Sequence, residues 1–186
     1  MDVTHLADAL YRRLVATVYP PCCVLCGSAG FDQMDICARC YRDLPRIEAA
    51  CSRCAIPIAA KTGDALLCGQ CLRKPPAFDH SISLFSYRDD AIKLIHQLKF
   101  NEKLANARLL GYMLAQAVDA NTTDRPDCIV PIPLYWKRMR QRGFNQSLEM
   151  ARVVGRVCDI SVNSQSLVRV RDTPSQTGLN KTQRHQ

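Results

Sequence analysis

The chain has 186 residues, of which 47% are apolar and 23% are charged, so it is long enough for one hydrophobic core and a small metal-stabilised module. It contains no low-complexity polar tract, and this composition excludes an intrinsically disordered chain. No apolar run approaches the roughly 18 residues that a membrane-spanning helix needs, so we expect no membrane span.

The net charge of +8 is concentrated in the last third of the chain. Residues 1–130 carry 15 Lys and Arg against 14 Asp and Glu, whereas residues 131–186 carry 10 against 3. A basic segment of this kind predicts an anionic partner. A basic face that only increases solubility is the alternative.

Residues 6–18 are predicted to form a short amphipathic helix within an N-terminal segment, 1–20. Leu6, Ala9, Leu10, Leu14 and Val18 recur at helical spacing. We expect this stripe to pack on the core, with a membrane-surface helix as the alternative. The stretch does not have the form of a secretory signal, so the eleven cysteines indicate a reducing cytoplasm rather than disulfides.

Four Cys-x-x-Cys pairs follow within residues 21–74, which we interpret as a double zinc ribbon. Two residues between thiols let a tight turn direct both sulfurs at one point, and two such turns complete the tetrahedron that zinc prefers. Four thiolates leave no position for a reacting water, so both zinc ions are expected to be structural. The predicted ligands are Cys23, Cys26, Cys37, Cys40, Cys51, Cys54, Cys68 and Cys71.

Three alternatives remain open for these cysteines. We expect the first pair to join the second and the third to join the fourth, but a cross-braced arrangement has compatible spacing. Cys22 has a Cys-x-x-x-Cys spacing to Cys26 and is an alternative to Cys23. A redox dithiol is the alternative for any single pair. Cys128 and Cys158 have no partner at ligand spacing and are predicted to be ordinary buried cysteines.

After a linker at residues 74–76, the pattern predicts a second domain over 78–186. Residues 81–87 alternate and suggest a strand. Residues 89–100 suggest a helix with Ile92, Ile95 and Leu98 on one apolar face, and residues 104–118 suggest a second amphipathic helix. Residues 127–134 form an apolar run with two prolines, which we interpret as a buried parallel strand.

A basic segment stands directly after that strand, where ligands bind in open α/β sheets. Guanidinium groups, backbone amides near a glycine and the start of the helix predicted at 147–158 are all suited to phosphate. A solvated basic turn is the alternative. The candidate phosphate-binding or DNA-binding residues are Lys137, Arg138, Arg140, Arg142, Gly143, Asn145 and Gln146.

Five motifs occur in a fixed order from about residue 20 to the end of the chain. They are the cysteine pairs, residues 94–100, residues 130–134, residues 142–146, and the spaced Thr173, Gln176, Leu179 and Arg184. Together they resemble the ComF family, which includes the competence protein ComF and GntX-type relatives. The resemblance implies an α/β fold class, with a double zinc ribbon followed by a type I phosphoribosyltransferase-like parallel-sheet domain.

The same resemblance implies that residues 131–134 lie near a pyrophosphate and residues 142–146 near the opening of the site. The family's acidic pair and Thr-Thr-Gly-like loop, which read the diphosphate sugar PRPP, are not found in this sequence. We therefore expect a domain lacking its C-terminal part, in which PRPP binding would need a full-length form. Catalytic residues are not assigned.

Three functions follow from these observations. The first is a competence factor that handles imported single-stranded DNA on a basic surface, with other proteins of the uptake machinery as partners. Tyr135, Trp136 and Phe144 are interleaved with the cations, as stacking residues would be. The second is a phosphoribosyltransferase acting on PRPP. The third is a zinc-ribbon module that binds a partner protein.

Overall fold

The computed structural model describes residues 20–59, 66–122 and 124–173. The predicted N-terminal helix at 6–18 lies outside the described residues. So does most of the motif that begins at Thr173. Among the described residues, no helix is both long enough and apolar enough to cross a membrane.

The cysteine-rich part contains two short helices, α1 (Ala38–Asp43) and α2 (Gly69–Arg73). Each helix begins directly after a cysteine, Cys37 or Cys68, whose sulfur accepts a hydrogen bond from the backbone nitrogen three residues further on. A thiol sulfur therefore occupies the N-cap position that an oxygen usually takes. The rest of this part is held by turns and isolated bridges, such as Cys22 with Ala29 and Ala50 with Pro57.

Three predicted helices are present: α3 (Asp89–Phe100), α4 (Leu104–Asn121) and α6 (Gln146–Cys158). The predicted apolar face of α3 is confirmed at Ile95 and Leu98, which pack in the main core, and is wrong at Ile92. The helix buries Ala91, Leu94 and Leu98, while Ile92 is 36% exposed. Positions i, i+3 and i+7 form one stripe of an α-helix, and the stripe that starts at residue 91 is buried, with Leu94 and Leu98 in the main core beside residues of α4.

The segment at residues 81–87 is not a strand, which corrects the prediction. Its only strand-like pairing is an isolated bridge between Phe85 and Arg46, supported by a hydrogen bond from Ser86 N to Pro45 O at 2.9 Å. Alternation of apolar and polar residues favours a strand only where a neighbouring strand supplies ladder hydrogen bonds. Here the neighbouring chain at Pro45 and Arg46 supplies only one isolated bridge.

Strands β1 (Cys128–Ile129) and β2 (Ser161–Val162) pair in parallel, with Cys128 opposite Ser161. The parallel direction confirms the prediction, but the predicted length and burial were wrong. Pro131 and Pro133 have no backbone N–H, so the ladder ends before them. Cys128 is exposed rather than buried, whereas Cys158 is buried as predicted.

Residues 23–44, which include the first two cysteine pairs, form the first cysteine-rich unit. The main core joins this unit to the helices α3 and α4. Met34, Ile36 and Leu44 are buried in one cluster with α3 and α4 residues such as Leu94 and Leu109. A second cluster, Ala115, Val154, Cys158 and Ile160, lies between α4, α6 and β2.

An ion pair reinforces the junction between the first cysteine-rich unit and α4. The Arg108 guanidinium donates two hydrogen bonds of 2.6 Å to the two carboxylate oxygens of Asp35, which is a bidentate pair. The Asp35 side chain is only 7% exposed, so its charge depends on this partner.

Candidate zinc centres and basic surface

The eight predicted cysteine ligands form two tetrads, and within each tetrad all four sulfurs lie within 4.8 Å of one another. The first tetrad is Cys23, Cys26, Cys37 and Cys40, and the second is Cys51, Cys54, Cys68 and Cys71. The grouping is sequential, as predicted, and not cross-braced. Cys22 is outside the first tetrad, because its exposed thiol points to the backbone oxygen of Pro20 at 3.6 Å.

The spacing of the sulfurs fits zinc. A tetrahedron with Zn–S bonds of about 2.3 Å has sulfur-to-sulfur edges of about 3.8 Å. The distance from Cys26 Sγ to Cys37 Sγ is 3.7 Å, and the distance from Cys54 Sγ to Cys68 Sγ is also 3.7 Å. The two tetrads are therefore suited to two zinc ions.

Backbone amides stabilise the thiolate form of several of these sulfurs. Cys40 N donates to Cys37 Sγ at 3.4 Å, Cys71 N to Cys68 Sγ at 3.5 Å, and Cys68 N to Cys51 Sγ at 3.3 Å. Such bonds orient a ligand and favour its charged state. The turns that bring the sulfurs together thus also prepare them for a cation.

The thiols within each tetrad differ widely in acidity. Hydrogen bonding with Ser28 lowers the pKa of Cys26 to about 6, and backbone hydrogen bonds with Cys54 and Cys68 lower the pKa of Cys51 to about 6. Desolvation raises the pKa of Cys40, and it raises the pKa of Cys71 to about 12. Four adjacent thiolates repel one another, so binding of a cation must expel the protons that the least acidic thiols retain.

The basic segment forms a helix, α5 (Trp136–Arg142), rather than a solvated turn. The helix ends at Gly143, whose φ of 74° lies in the left-handed region that glycine adopts without strain. Asn145 then starts α6, because its side-chain oxygen accepts from Ser147 N at 3.0 Å. Its amide nitrogen donates to Ile132 O at 3.0 Å, which ties the segment after β1 to the start of α6.

The candidate binding residues differ in how far they are already paired. Lys137 Nζ lies 3.5 Å from a carboxylate oxygen of Asp172. Among the residues that the structure describes, no carboxylate lies within 4.0 Å of the guanidinium groups of Arg138, Arg140 or Arg142. Three guanidinium groups on one short helix thus lack an acidic partner in the described part of the chain.

The three interleaved aromatic residues differ in how far they are exposed. Phe144 packs against the main core, and Tyr135 is half-buried with its ring 5.8 Å from that of Trp136. Trp136 is 52% exposed, and Lys137 and Arg140 lie near its ring face at 5.8 and 5.7 Å. The indole is therefore the aromatic group that α5 presents to solvent.

Comparison with known proteins agrees with the two zinc centres. The family model described as a double zinc ribbon domain matches residues 14–72. The DNA utilization protein YhgH of Salmonella typhimurium is 33% identical over 165 residues, which cover 86% of this chain and 71% of the relative. The chain belongs to the ComF family.

Other members are nearly as similar to this ComF-family chain. The DNA utilization protein YhgH of Escherichia coli K12 is 32% identical over 162 residues, covering 84% of this chain and 70% of the relative. Competence protein F of Haemophilus influenzae is 29% identical over 169 residues, covering 88% and 72%. No solved structure matches the chain.

Two residues beside the basic helix were missed as site candidates in the sequence. Lys99 and Phe100, at the end of α3, line a cleft of about 380 Å³ together with Glu102, Arg138, Gln141 and Arg142. Phe100 is 53% exposed although it closes an amphipathic helix. The only sequence signal for this site is a large apolar side chain next to Lys at a helix end. The two halves of the cleft are nearly forty residues apart in the sequence, so their proximity is not visible there.

Proposed function

We propose that this ComF-family chain takes part in natural transformation by handling imported single-stranded DNA on the surface of α5. The relatives are named as DNA utilization and competence proteins, which supports a role in the uptake or use of DNA. The charge distribution supports the same conclusion, because residues 131–186 hold 10 of the 25 Lys and Arg residues but only 3 of the 17 Asp and Glu residues. Other proteins of the uptake machinery are its expected partners.

The observation that carries this proposal is that α5 presents three guanidinium groups without an acidic partner in the described part of the chain, together with an exposed indole that Arg140 approaches. Phosphates supply most of the affinity in single-strand binding, and aromatic rings supply stacking with little dependence on sequence. Arg138, Arg140 and Arg142 provide the cations, and Trp136 provides the ring. Gly143 leaves the end of α5 open, since nothing lies within 4 Å of where its Cβ would be.

The two cysteine tetrads are proposed to hold structural zinc in a unit over residues 21–74, with a phosphoribosyltransferase-like unit over 78–186. A closed four-thiolate site contributes folding energy and offers no open position for chemistry. A reducing cytoplasm is the compartment that keeps eight thiols available to zinc. The zinc unit then supports the helices that carry the binding surface.

The first test measures binding of a single-stranded oligonucleotide at two salt concentrations, with zinc content determined on the same sample. We expect salt-sensitive binding by a chain that holds about two zinc ions. Replacing Arg138, Arg140 and Arg142 together by Gln should weaken binding and reduce the slope of log K against log salt by about 2, because each phosphate contact on a single strand contributes about 0.7.

The matched control is a triple Gln variant at Arg39, Arg42 and Arg73, which are exposed arginines on α1 and α2. It changes the net charge equally but leaves α5 intact, so binding should stay close to that of the wild type. Equal weakening by the two variants would contradict a site on α5. Two zinc ions without any binding of DNA would favour a zinc-ribbon module that binds a partner protein.

A second candidate function is binding of a phosphorylated sugar such as PRPP, as in phosphoribosyltransferases. One observation favours it: β1 is parallel to β2, and the segment that follows β1 is tied through Asn145 to the glycine turn after α5. Phosphates bind at such positions in parallel sheets. Competition of PRPP with the oligonucleotide would support a shared site, and unchanged DNA binding at saturating PRPP would argue against it.

A further inference from the structure

The cleft between α3 and α5 combines an aromatic ring with an excess of positive charge. Its volume is about 380 Å³, and its lining includes three cations, Lys99, Arg138 and Arg142, and one acid, Glu102. Among the described residues, Glu102 forms no ion pair with any of the three. The cleft is therefore net positive and open to an anion.

The positions of the two arginines are unfavourable without an anion. Arg138 and Arg142 are four residues apart on α5, and like charges at this spacing destabilise a helix. Arg142 is half-buried, and its desolvation together with repulsion from Arg138 lowers its pKa. Its guanidinium is held in place by Gln146 Oε1, which accepts a hydrogen bond from Nη1 at 2.7 Å. An anionic ligand in the cleft would offset both the repulsion between the two arginines and the desolvation of Arg142.

Phe100 forms the apolar wall of the same cleft, and its ring contacts a neighbour on its own helix. The His96 ring, one helical turn earlier, lies 4.5 Å away between centroids and is tilted by 43°. Arg142 Cζ lies 5.8 Å from the Phe100 ring centroid. A ring that is half in solvent, supported by its own helix and approached by the Arg142 guanidinium, has the form of a stacking platform for a base with a phosphate beside it.

We propose that Phe100 stacks one base of a bound single strand while Arg138 and Arg142 bind the adjoining phosphate. This inference rests on the proposed DNA-binding function and adds to it a nucleotide subsite on α3. The volume of the cleft lies in the range of small-ligand sites and is sufficient for a single nucleotide. Stacking does not depend on base identity, because every base has an aromatic face. The subsite therefore selects for unpaired bases rather than for sequence.

The test compares two strands of equal length and equal phosphate number, oligo-dT and an oligomer of abasic sites. The wild type should bind oligo-dT more tightly than the abasic strand. Phe100→Leu should weaken oligo-dT binding roughly tenfold without changing its salt slope, and should leave abasic binding unchanged. Phe100→Trp should restore the preference for oligo-dT, because it restores a flat aromatic face.

The matched control is Phe78→Leu, since Phe78 is 48% exposed and does not line the cleft. Zinc content and thermal unfolding of each variant verify that the fold is retained. Equal wild-type binding of the two strands would overturn the stacking subsite while leaving the proposed function in place. Equal weakening of both strands by Phe100→Leu would also overturn it, since that result indicates a structural role. Absence of salt-sensitive binding to either strand would overturn both proposals.

Discussion

Cys22 and Cys23 are chemically identical neighbours, and backbone direction alone distinguishes them. The Cys23 backbone nitrogen donates to Ser28 O at 2.7 Å and its carbonyl accepts from Gly27 N at 2.8 Å, so the turn from 23 to 28 closes around this residue. Its sulfur is buried within the tetrad, while that of Cys22 is exposed. Adjacent side chains in extended chain point to opposite sides, so only one of the two can be directed at the metal.

Exchange of each cysteine for serine tests this assignment. Cys23→Ser removes one of four thiolates from the first tetrad and should reduce zinc from about two ions per chain to about one. Cys22→Ser is the matched control and should retain about two. Metal analysis of the purified proteins measures both. The reverse pattern, with loss only in Cys22→Ser, would assign the corner of the tetrad to Cys22.

The helices α4 and α6 pack closely because of one glycine. A Cβ on Gly111 would lie 2.8 Å from Val153 Cβ and 3.1 Å from Met150 O, which is tighter than packed atoms tolerate. This contact makes the most extensive pairing of two elements in the described structure. The position of α6, and with it the Asn145 cap that follows α5, therefore depends on the absence of a side chain at residue 111.

Gly111→Ala should destabilise the protein by about 1–3 kcal/mol, the typical cost of overpacking a well-filled interface. Gly69→Ala is the control, because nothing lies within 4 Å of where its Cβ would be and alanine favours the helix. Urea denaturation followed by circular dichroism provides the comparison. An unchanged urea midpoint for Gly111→Ala would show that α4 and α6 can move apart to admit the methyl group without a loss in the free energy of unfolding.

The elements that were predicted correctly are those whose pattern is long. The helices α3, α4 and α6 each extend over three turns or more, so their apolar stripes are repeated several times in the sequence. The helix α5 has seven residues, none of them buried, and therefore has no apolar stripe to detect. The strands are two residues long, too short for alternation to show.

At the scale of the whole molecule, the two cysteine tetrads differ in how closely they pack with the helices α3 and α4. Cys23 of the first tetrad belongs to the main core with α3 and α4, and Cys37 and Cys40 pack against it. No cysteine of the second tetrad belongs to either core cluster among the described residues. Loss of zinc from the first tetrad should therefore destabilise α3 and α4, while loss of zinc from the second should destabilise only the chain around that tetrad.

Cys37→Ser and Cys68→Ser form a matched pair for this difference. Each replaces a tetrad ligand that also caps a short helix, and serine retains a capping oxygen. Each variant should lose one zinc. Amide hydrogen exchange in α3 and α4 should become at least about tenfold faster in Cys37→Ser, equivalent to ~1.4 kcal/mol, and stay unchanged in Cys68→Ser. Equal effects would show that the two units support the helices alike.

The sequence by itself determined what is encoded within short stretches of chain. The spacing of the cysteine pairs predicted two tetrads, and the long apolar periods predicted three helices, because ligand spacing and helix formation are local. Tertiary structure decided which cysteine of the 22 and 23 pair joins the tetrad, which face of α3 is buried, and that Phe100 stands beside Arg142. These depend on contacts between residues far apart in sequence, and their energies arise only when the first zinc unit, α3, α4 and α6 pack together.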